Sequence, residues 1–190
     1  MKSSFLVITV LCIVMTQPYV NAQTTTAFAN IEVKNSNGEP MLLGHCDVSF
    51  LQQGVYKNWY QPGYDHYIPD SSTIPFLTEL LKGKQIDIFL GTWCGDSRRE
   101  VPRMMKILTQ AGVHQQQIKL IFVSNESNSY KQSPQHEEAG KNIKRVPTLI
   151  VYENEKEMGR IIEYPVVSLE KDLLLILRRE NYVPNYGSMK

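Results

Sequence analysis

The middle of the chain alternates short apolar runs with a longer amphipathic stretch. Residues 86–90 and 118–123 are apolar runs of strand length, and they predict two buried strands. Between them, residues 96–111 place apolar side chains at helical spacing, which predicts an amphipathic helix with a kink at Pro102. A shorter apolar stripe after Thr73 predicts a helix that leads into the first of these strands. The pattern is therefore helix, strand, helix, strand.

The C-terminal part continues this alternation. Residues 125–135 are polar and predict a loop, and residues 136–142 predict a short helix. Two further strands are expected at residues 148–152 and 160–164, followed by a helix that Ser168 can cap. The order β-α-β, then α, then β-β-α predicts an α/β domain with a mixed sheet of about four core strands and helices on both faces.

A weaker pattern precedes this domain. Residues 31–34 alternate like a strand, and residues 41–43 can return beside it as the second strand of a hairpin. Asp47 is suited to cap an amphipathic helix over residues 47–60, after which prolines and a glycine predict a loop over residues 61–70. The chain after residue 22 is thus expected to comprise an N-terminal extension, a domain and a polar tail, at residues 23–71, 72–182 and 183–190.

The first 22 residues have the pattern of a secretory signal peptide. Lys2 supplies the positive start, residues 5–15 form the apolar core, and residues 20–22 form a small-residue cleavage site. The apolar core is shorter than a membrane span requires, so we expect cleavage before Gln23 rather than a retained anchor. This pattern predicts an exported protein, periplasmic or secreted, that is not inserted in the membrane after cleavage.

The charge balance excludes some classes of partner. The chain has 20 basic and 19 acidic residues, and loss of residues 1–22 would leave 19 of each. A near-neutral protein without a long charge run lacks the electrostatic footprint for nucleic acid or an anionic membrane surface. The same cleavage would remove Cys12 and leave Cys46 and Cys94, which suffice for one disulfide or two free thiols.

A cysteine follows the first buried strand, at the point where the next helix begins. Residues 93–97 read Trp-Cys-Gly-Asp-Ser and open the amphipathic helix. Backbone N–H groups at a helix start lack intrahelical partners and carry partial positive charge, which favours ionisation of a nearby thiol. Cys94 is therefore a candidate nucleophile, although a free cysteine is more often a small buried core residue.

Residues 93–97 resemble the active-site motif of the thioredoxin family, which is Trp-Cys-Gly-Pro-Cys. Pro102 lies eight residues after Cys94, where that family has its helix-kinking proline, and Val146-Pro147-Thr148 looks like the family's cis-proline turn before a strand. The resemblance covers roughly residues 72–180 and implies a thioredoxin-like fold. It is less specific for the reaction, because Ser97 stands where the family has its second cysteine.

The resemblance also implies the residues of a site. Cys94 would be the catalytic nucleophile, and the hydroxyl of Ser97, one helical turn away, would donate a hydrogen bond that favours the thiolate. Asp96 would act in the opposite direction, because a nearby negative charge disfavours the thiolate. The residues implied for substrate binding are Trp93, Gly95, Asp96, Val146 and Pro147, with Pro147 in the cis form.

Two departures from the family pattern concern proton and electron transfer. A serine cannot release a mixed disulfide, because resolution needs a second sulfur. The family also commonly has a buried acid six residues before the first cysteine, and that position is Ile88 here. The neighbouring Asp87 is expected to point to the opposite face of the strand.

The residues leave three functions open. Cys46 could be a distant resolving cysteine in a redox couple with Cys94, or Cys94 could act alone and require an external thiol for release. The third function is a non-catalytic module that binds proteins or peptides, because fold alone does not establish activity. We expect the second, an exported thiol-disulfide oxidoreductase acting through Cys94 on protein disulfides or sulfenic acids.

Expectations about cofactors and partners follow from the same residues. No phosphate-binding loop is present, and a mixed metal site of His45, Cys46 and Cys94 with Asp96 or His66 would lack any paired-ligand spacing. We therefore expect no cofactor and no metal. The expected partners are thiols or disulfides of other exported proteins and an unidentified reducing partner.

Overall fold

The computed structural model describes residues 31–187, so the signal peptide expected at residues 1–22 and its cleavage site lie outside the described residues. Within them the chain forms one six-stranded mixed sheet in the order β1-β2-β4-β3-β5-β6. The strands are β1 (Ile31–Lys34), β2 (Pro40–Cys46), β3 (Gln85–Leu90), β4 (Ile118–Phe122), β5 (Thr148–Glu153) and β6 (Lys156–Ile162). The α-helices are α1 (Lys57–His66), α2 (Ile74–Leu80), α3 (Gly95–Gln110) and α4 (Leu169–Leu177).

The sheet is wider than the sequence predicts, because the N-terminal hairpin joins it. β3 lies near the centre, pairs parallel with β4 and antiparallel with β5, and β5 continues antiparallel into β6. β2 pairs antiparallel with β4, and β1 pairs antiparallel with β2. The expectation of about four core strands is therefore wrong: residues 31–46 supply two more, and the sheet crosses the boundary placed at residue 72.

All four described α-helices contribute to one apolar cluster on one face of the sheet. Alternate residues of the central strands, such as Ile88, Leu120 and Leu149, face this cluster. The opposite face carries Phe89, Ile121 and Ile150 and is covered by the segment 123–147, which contains no helix. The expectation of helices on both faces is thus wrong, and the short helix expected at residues 136–142 is a series of turns.

The first helix of the extension begins later than its apolar pattern predicts. Asp47 does act as a cap, since its carboxylate accepts the Ser49 N–H at 2.8 Å, but the helix there is a 3-10 helix that ends at Gln52. Gly54 has φ +55°, a left-handed conformation that interrupts the helix. α1 then covers residues 61–66 of the loop expected at residues 61–70, with Pro62 inside the helix.

α1 and α3 approach each other closely at a glycine. A Cβ added at Gly63 of α1 would lie 3.0 Å from Pro102 Cγ of α3, so a larger side chain would separate the two helices. This close approach places the C-terminal half of α1 beside the first turns of α3, and therefore beside the residues that follow Cys94.

The last helix is fixed at its N-terminus by a buried carboxylate. Ser168 accepts the Lys171 N–H at 3.2 Å, as its position in the sequence predicts. Asp172 is fully buried and accepts the N–H groups of Val166 at 2.6 Å and Val167 at 3.2 Å, together with the hydroxyl of Tyr182 at 3.1 Å. These bonds join α4 to the segments on either side of it.

Among residues 31–187, none of the helices combines the length and the apolar character that crossing a membrane would require.

Candidate active site

Cys94 lies at the junction that the sequence predicts. It is the N-cap residue of α3, with φ −89° and ψ 126°, and only the turn of residues 91–93 separates it from β3. Its side chain is half-buried and packs against the cluster on the face covered by segment 123–147. The Sγ atom lies 3.2 Å from the carbonyl oxygen of Val146, to which the thiol donates.

The peptide bond between Val146 and Pro147 is cis, as the resemblance implies. The carbonyl of Pro147 accepts the N–H of Glu163 at 2.7 Å, and the hydroxyl of Thr148 donates to the carbonyl of Arg145 at 2.7 Å. These bonds connect the turn to the end of β6 and to the start of β5. The structure therefore brings Cys94 next to Val146 and Pro147, which lie more than 50 residues later in the sequence.

A hydrogen bond and an aromatic contact hold the Trp93 side chain in place. Its Nε1–H donates to the Val123 carbonyl at 2.8 Å, and its ring lies 5.8 Å from the ring of Tyr130. A Cβ on Gly91 would lie 2.5 Å from the indole, so glycine at this position gives the ring its space. Tyr130 lies in a loop expected only to be polar, and a lone aromatic residue there was the one signal in the sequence.

The two residues after Cys94 begin the helix. Gly95 is the first residue of α3, and a Cβ there would meet no other atom within 4 Å. The Asp96 carboxylate pairs with the Arg99 guanidinium at 2.7 Å. The negative charge beside the thiol is therefore paired with a cation one turn along the same helix.

Ser97 lies beneath the turn rather than at the surface. It is fully buried, and its Oγ accepts the N–H of Gly91 at 3.2 Å. The hydroxyl thus joins the first turn of α3 to the end of β3. Its donation to Cys94 stays a prediction, since the hydroxyl proton is not used by the bond to Gly91.

Arg98 is a site residue that the sequence analysis missed. Its Nε–H donates to the Thr92 carbonyl at 2.5 Å, so the side chain runs back along α3 toward the turn that holds Cys94. Its own backbone N–H donates to the Cys94 carbonyl at 3.0 Å. The spacing of four residues, which places two side chains on the same side of a helix, could have identified it.

Asp87 lies on the same face of the sheet as the Cys94 cluster, because it alternates with Ile88 and shares its side of β3 with Phe89. It is 6% exposed and forms an ion pair with Lys141, whose ammonium group also lies 5.4 Å from the ring centres of Phe89 and Tyr152. The expectation that Asp87 points to the face opposite Ile88 is correct, and this face is the one against which the thiol packs.

Cys46 is not placed to resolve a mixed disulfide at Cys94. It is a free thiol, 1% exposed, and belongs to the helix-covered cluster, whereas Cys94 packs against the opposite face. Burial raises the pKa of the Cys46 thiol to about 12, and the thiol lies 3.5 Å from the Leu43 carbonyl. The assignment of Cys46 as a resolving cysteine is therefore wrong, because the sheet separates the two sulfurs.

The same alternation separates the residues of the mixed metal site considered from the sequence. His45 and Cys46 are consecutive in β2 and face opposite sides of the sheet. Across the described part of the chain, no three of its histidine, cysteine, aspartate and glutamate residues are grouped so as to hold a metal ion.

No family model matches the chain, and no curated protein matches it. A solved structure of a protein of unknown function from Pseudomonas aeruginosa is similar, with 16% identity and a TM-score of 0.45, over 71% of this chain and 92% of that one. An HIV epitope-scaffold is also similar, with 16% identity and a TM-score of 0.46, over 73% of this chain and 94% of that one. Similarities this distant say nothing about the function of this chain.

Proposed function

We propose that this chain is an exported, thioredoxin-like thiol-disulfide oxidoreductase that acts through the single cysteine Cys94 on protein disulfides or sulfenic acids. One observation carries the proposal: a half-buried thiol caps the N-terminus of α3, directly after a central strand, and its Sγ lies 3.2 Å from the carbonyl that precedes a cis-proline. A cysteine with only a packing role needs neither position.

The arrangement of elements around the thiol supports the thioredoxin-like assignment. The parallel pair β3 and β4 and the antiparallel pair β5 and β6 give the mixed sheet expected from the resemblance. α3 contains Pro102, and α4 packs against β6. The additional hairpin and the absence of a helix in segment 123–147 distinguish this chain from that layout.

The proposed chemistry starts with a thiolate at Cys94. The sulfur attacks one sulfur of a substrate disulfide, a new S–S bond forms, and the other substrate sulfur leaves with the electron pair and takes up a proton. With a sulfenic acid, the same attack forms the mixed disulfide and the oxygen leaves as water. In both cases an external thiol, supplied by the reducing partner, attacks the Cys94 sulfur of the mixed disulfide, and the substrate leaves as a thiol. A second external thiol then attacks the bond between Cys94 and the first, so that Cys94 is restored and the two external thiols leave as their disulfide.

A non-catalytic peptide-binding module is the second candidate. The observation that favours it is Ser97, which is fully buried, accepts the N–H of Gly91 and supplies no second sulfur to release a mixed disulfide. In this function the groove binds an extended segment, and no sulfur exchange follows. The two candidates differ in whether a variant without the thiol keeps its ligand.

The test compares Cys94→Ser with Ser97→Cys in reduction of a protein disulfide and of a protein sulfenic acid, with an excess of small-molecule thiol. Cys94→Ser should lose all activity above the background of the thiol. Ser97→Cys should gain dithiol reductase activity, since it supplies the missing second sulfur one helical turn from the first. Activity of Cys94→Ser equal to wild type would refute the proposed chemistry.

Export is tested separately. The mature protein isolated from the exported fraction should begin at Gln23, which mass spectrometry of the intact chain can determine. A chain that keeps residues 1–22 in its native host would contradict this part of the proposal without affecting the chemistry at Cys94.

A further inference from the structure

A surface pocket of about 340 Å³ lies between α1 and the first turns of α3, and three guanidinium groups line it. Arg98, Arg99 and Arg103 come from α3, and His66 and Tyr67 come from the end of α1 and the residue after it. Pro62 and Gly63 of α1 also line it, next to the point where Gly63 approaches Pro102 of α3. Nothing in the proposed chemistry at Cys94 uses these groups.

A buried carboxylate holds two of the three guanidinium groups in place. Glu100 is 3% exposed, and its Oε1 accepts Arg99 Nε at 2.6 Å and lies 3.4 Å from Arg103 Nη1. The Arg103 guanidinium also lies 5.6 Å from the ring centre of Tyr67, on the other side of the pocket. Because each guanidinium has five N–H donors, these contacts leave several donors of both side chains for a ligand.

Three carboxylates lie near the three guanidinium groups. Asp96 and Glu100 pair with Arg99 and Arg103, and Glu170 accepts the hydroxyl of Tyr67 at 2.9 Å, whereas the Nε–H of Arg98 donates to a neutral backbone carbonyl. The Arg98 guanidinium thus has no carboxylate partner among these contacts, in a concave site where planar N–H forks match carboxylate geometry. An isolated solvated cation on a flat surface would not have this preorganisation.

Arg98 connects the pocket to the thiol. Its guanidinium lines the pocket, and its Nε lies 2.5 Å from the carbonyl of Thr92, two residues before Cys94. One side chain thus extends from the pocket to the turn before Cys94, and this link is the structural basis for relating the pocket to residues near the reacting sulfur of a substrate.

We propose that this arginine pocket, formed by Arg98, Arg99 and Arg103, binds carboxylate side chains that flank the reacting sulfur of a polypeptide substrate. The inference rests on the proposed function, because it names the class of substrate for the same thiol. Acidic segments around a disulfide or sulfenic acid are preferred, and basic segments are disfavoured by the same charges.

The test measures single-turnover attack of Cys94 on three short peptides, each with one central cysteine held as a mixed disulfide with 2-thiopyridine. The peptides differ only in two flanking residues, which are glutamate, glutamine or lysine. Attack on the peptide sulfur forms the Cys94–peptide disulfide and breaks the old S–S bond, and the released thiopyridine keeps the electron pair and takes up a proton. Its absorbance gives the rate constant for each peptide.

At low ionic strength the wild-type rate constant should be about tenfold larger for the acidic than for the basic peptide, the size expected for two exposed ion pairs. Arg103→Gln should reduce this ratio about threefold, and Arg103→Lys should restore most of it, because the charge returns without the planar fork. Added salt at molar concentration should bring the ratio close to one.

Arg178→Gln is the matched control. Arg178 has nearly the same side-chain exposure as Arg103, 41% against 38%, and its guanidinium likewise lies over an aromatic ring, 5.3 Å from the centre of Phe76. It follows the end of α4 and does not line the arginine pocket. In Arg178→Gln, the ratio of the rate constants for the acidic and the basic peptide should equal that of wild type.

The outcomes separate this inference from the proposed function. Equal wild-type rate constants for the three peptides, all well above that of free cysteine, would overturn the inference and leave the chemistry at Cys94 supported. A ratio that falls as much in Arg178→Gln as in Arg103→Gln would also overturn it, because the effect would then be one of overall charge. No reaction with any peptide would overturn both.

Discussion

Replacing Gly91 by alanine should displace Trp93 and weaken the site without touching the thiol itself. A Cβ at this position would lie 2.5 Å from Trp93 Cε2 and 2.6 Å from Nε1, and these atoms belong to a rigid ring. Gly91 is not in the left-handed region, so the backbone accepts alanine and the conflict is purely one of space. The indole must therefore move.

The magnitude follows from the two interactions that hold the indole. Movement breaks the 2.8 Å bond from Trp93 Nε1 to the Val123 carbonyl, which contributes about 1 kcal/mol, and separates the ring from Tyr130, which contributes a further ~1 kcal/mol. We expect the free energy of unfolding to fall by about 2 kcal/mol and the melting temperature by about 4–8 °C for a domain of this size.

Denaturation by urea, followed by far-UV circular dichroism, measures the stability of the variant. Fluorescence in a Trp59→Phe background reports on the indole, because Trp93 is then the one remaining tryptophan. Displacement should shift its emission to longer wavelength and increase quenching by iodide. Gly95→Ala is the matched control, since a Cβ there meets nothing within 4 Å and alanine favours a helix.

Gly91→Ala with wild-type stability and unchanged Trp93 emission would refute this account of the turn. A loss of stability in Gly95→Ala as large as in Gly91→Ala would refute it in another way, because the effect would then come from adding any side chain beside Cys94 and not from contact with the indole.

Three further predictions concern the rest of the molecule. In the mature chain expected to begin at Gln23, which keeps Cys46 and Cys94, iodoacetamide should add one alkyl group to the native protein without reductant and two after denaturation, because Cys46 is buried with a pKa raised to about 12 while Cys94 is partly exposed. Intact mass checks this, and two groups on the native protein would contradict it. Burial, together with the charge of Lys119, lowers the pKa of His45 in the folded state, so below pH 6.5 the unfolded state binds more protons than the folded state. The free energy of unfolding should therefore decrease as the pH falls through 6.5, and urea denaturation should show a smaller decrease in His45→Gln. Asp172→Ala should cost about 3–5 kcal/mol in urea denaturation because three donors lose their acceptor, and Tyr182→Phe, which removes one of them, should cost about 1 kcal/mol.

The fold elements that the sequence predicts best are those with a single strong pattern. The apolar runs at β3, β4 and β5 and the capped helix α4 appear within a residue or two of their expected bounds. Periodicity identifies which residues are buried, but it does not identify the strand beside which a hairpin lies. Periodicity therefore does not predict that β2 pairs with β4, although it does indicate a strand at residues 41–43.

The helix boundaries predicted near α1 are wrong. The apolar spacing after Asp47 continues through Gly54, yet this glycine is in the left-handed conformation and divides the segment into a 3-10 helix and α1. Pro62 suggests a loop from sequence, but α1 continues through it while packing against α3. Tertiary packing decides both cases, and a propensity scale contains no information about it.

The site shows the same division between local and distant information. The motif at residues 93–97 identifies the thiol, and the turn at residues 146–148 identifies the proline, because each signal lies in consecutive residues. Which face of the sheet a cysteine meets depends on strand pairing, and for this reason the assignment of Cys46 as a resolving residue was open from sequence and is excluded by the structure.

The N-terminal extension is part of the sheet and of the proposed arginine pocket. β2 pairs with β4, and the end of α1 provides one wall of the arginine pocket while α3 provides both the other wall and the thiol. A chain that began at residue 72 would keep Cys94, Val146 and Pro147 but would lose His66 and Tyr67 from the pocket. Because Tyr67 lies over the Arg103 guanidinium, selection of substrates by charge should then weaken even where sulfur exchange continues. The proposed sulfur exchange therefore depends on α3 and the turn at Pro147, whereas the proposed selection by charge depends on α3 and α1 together.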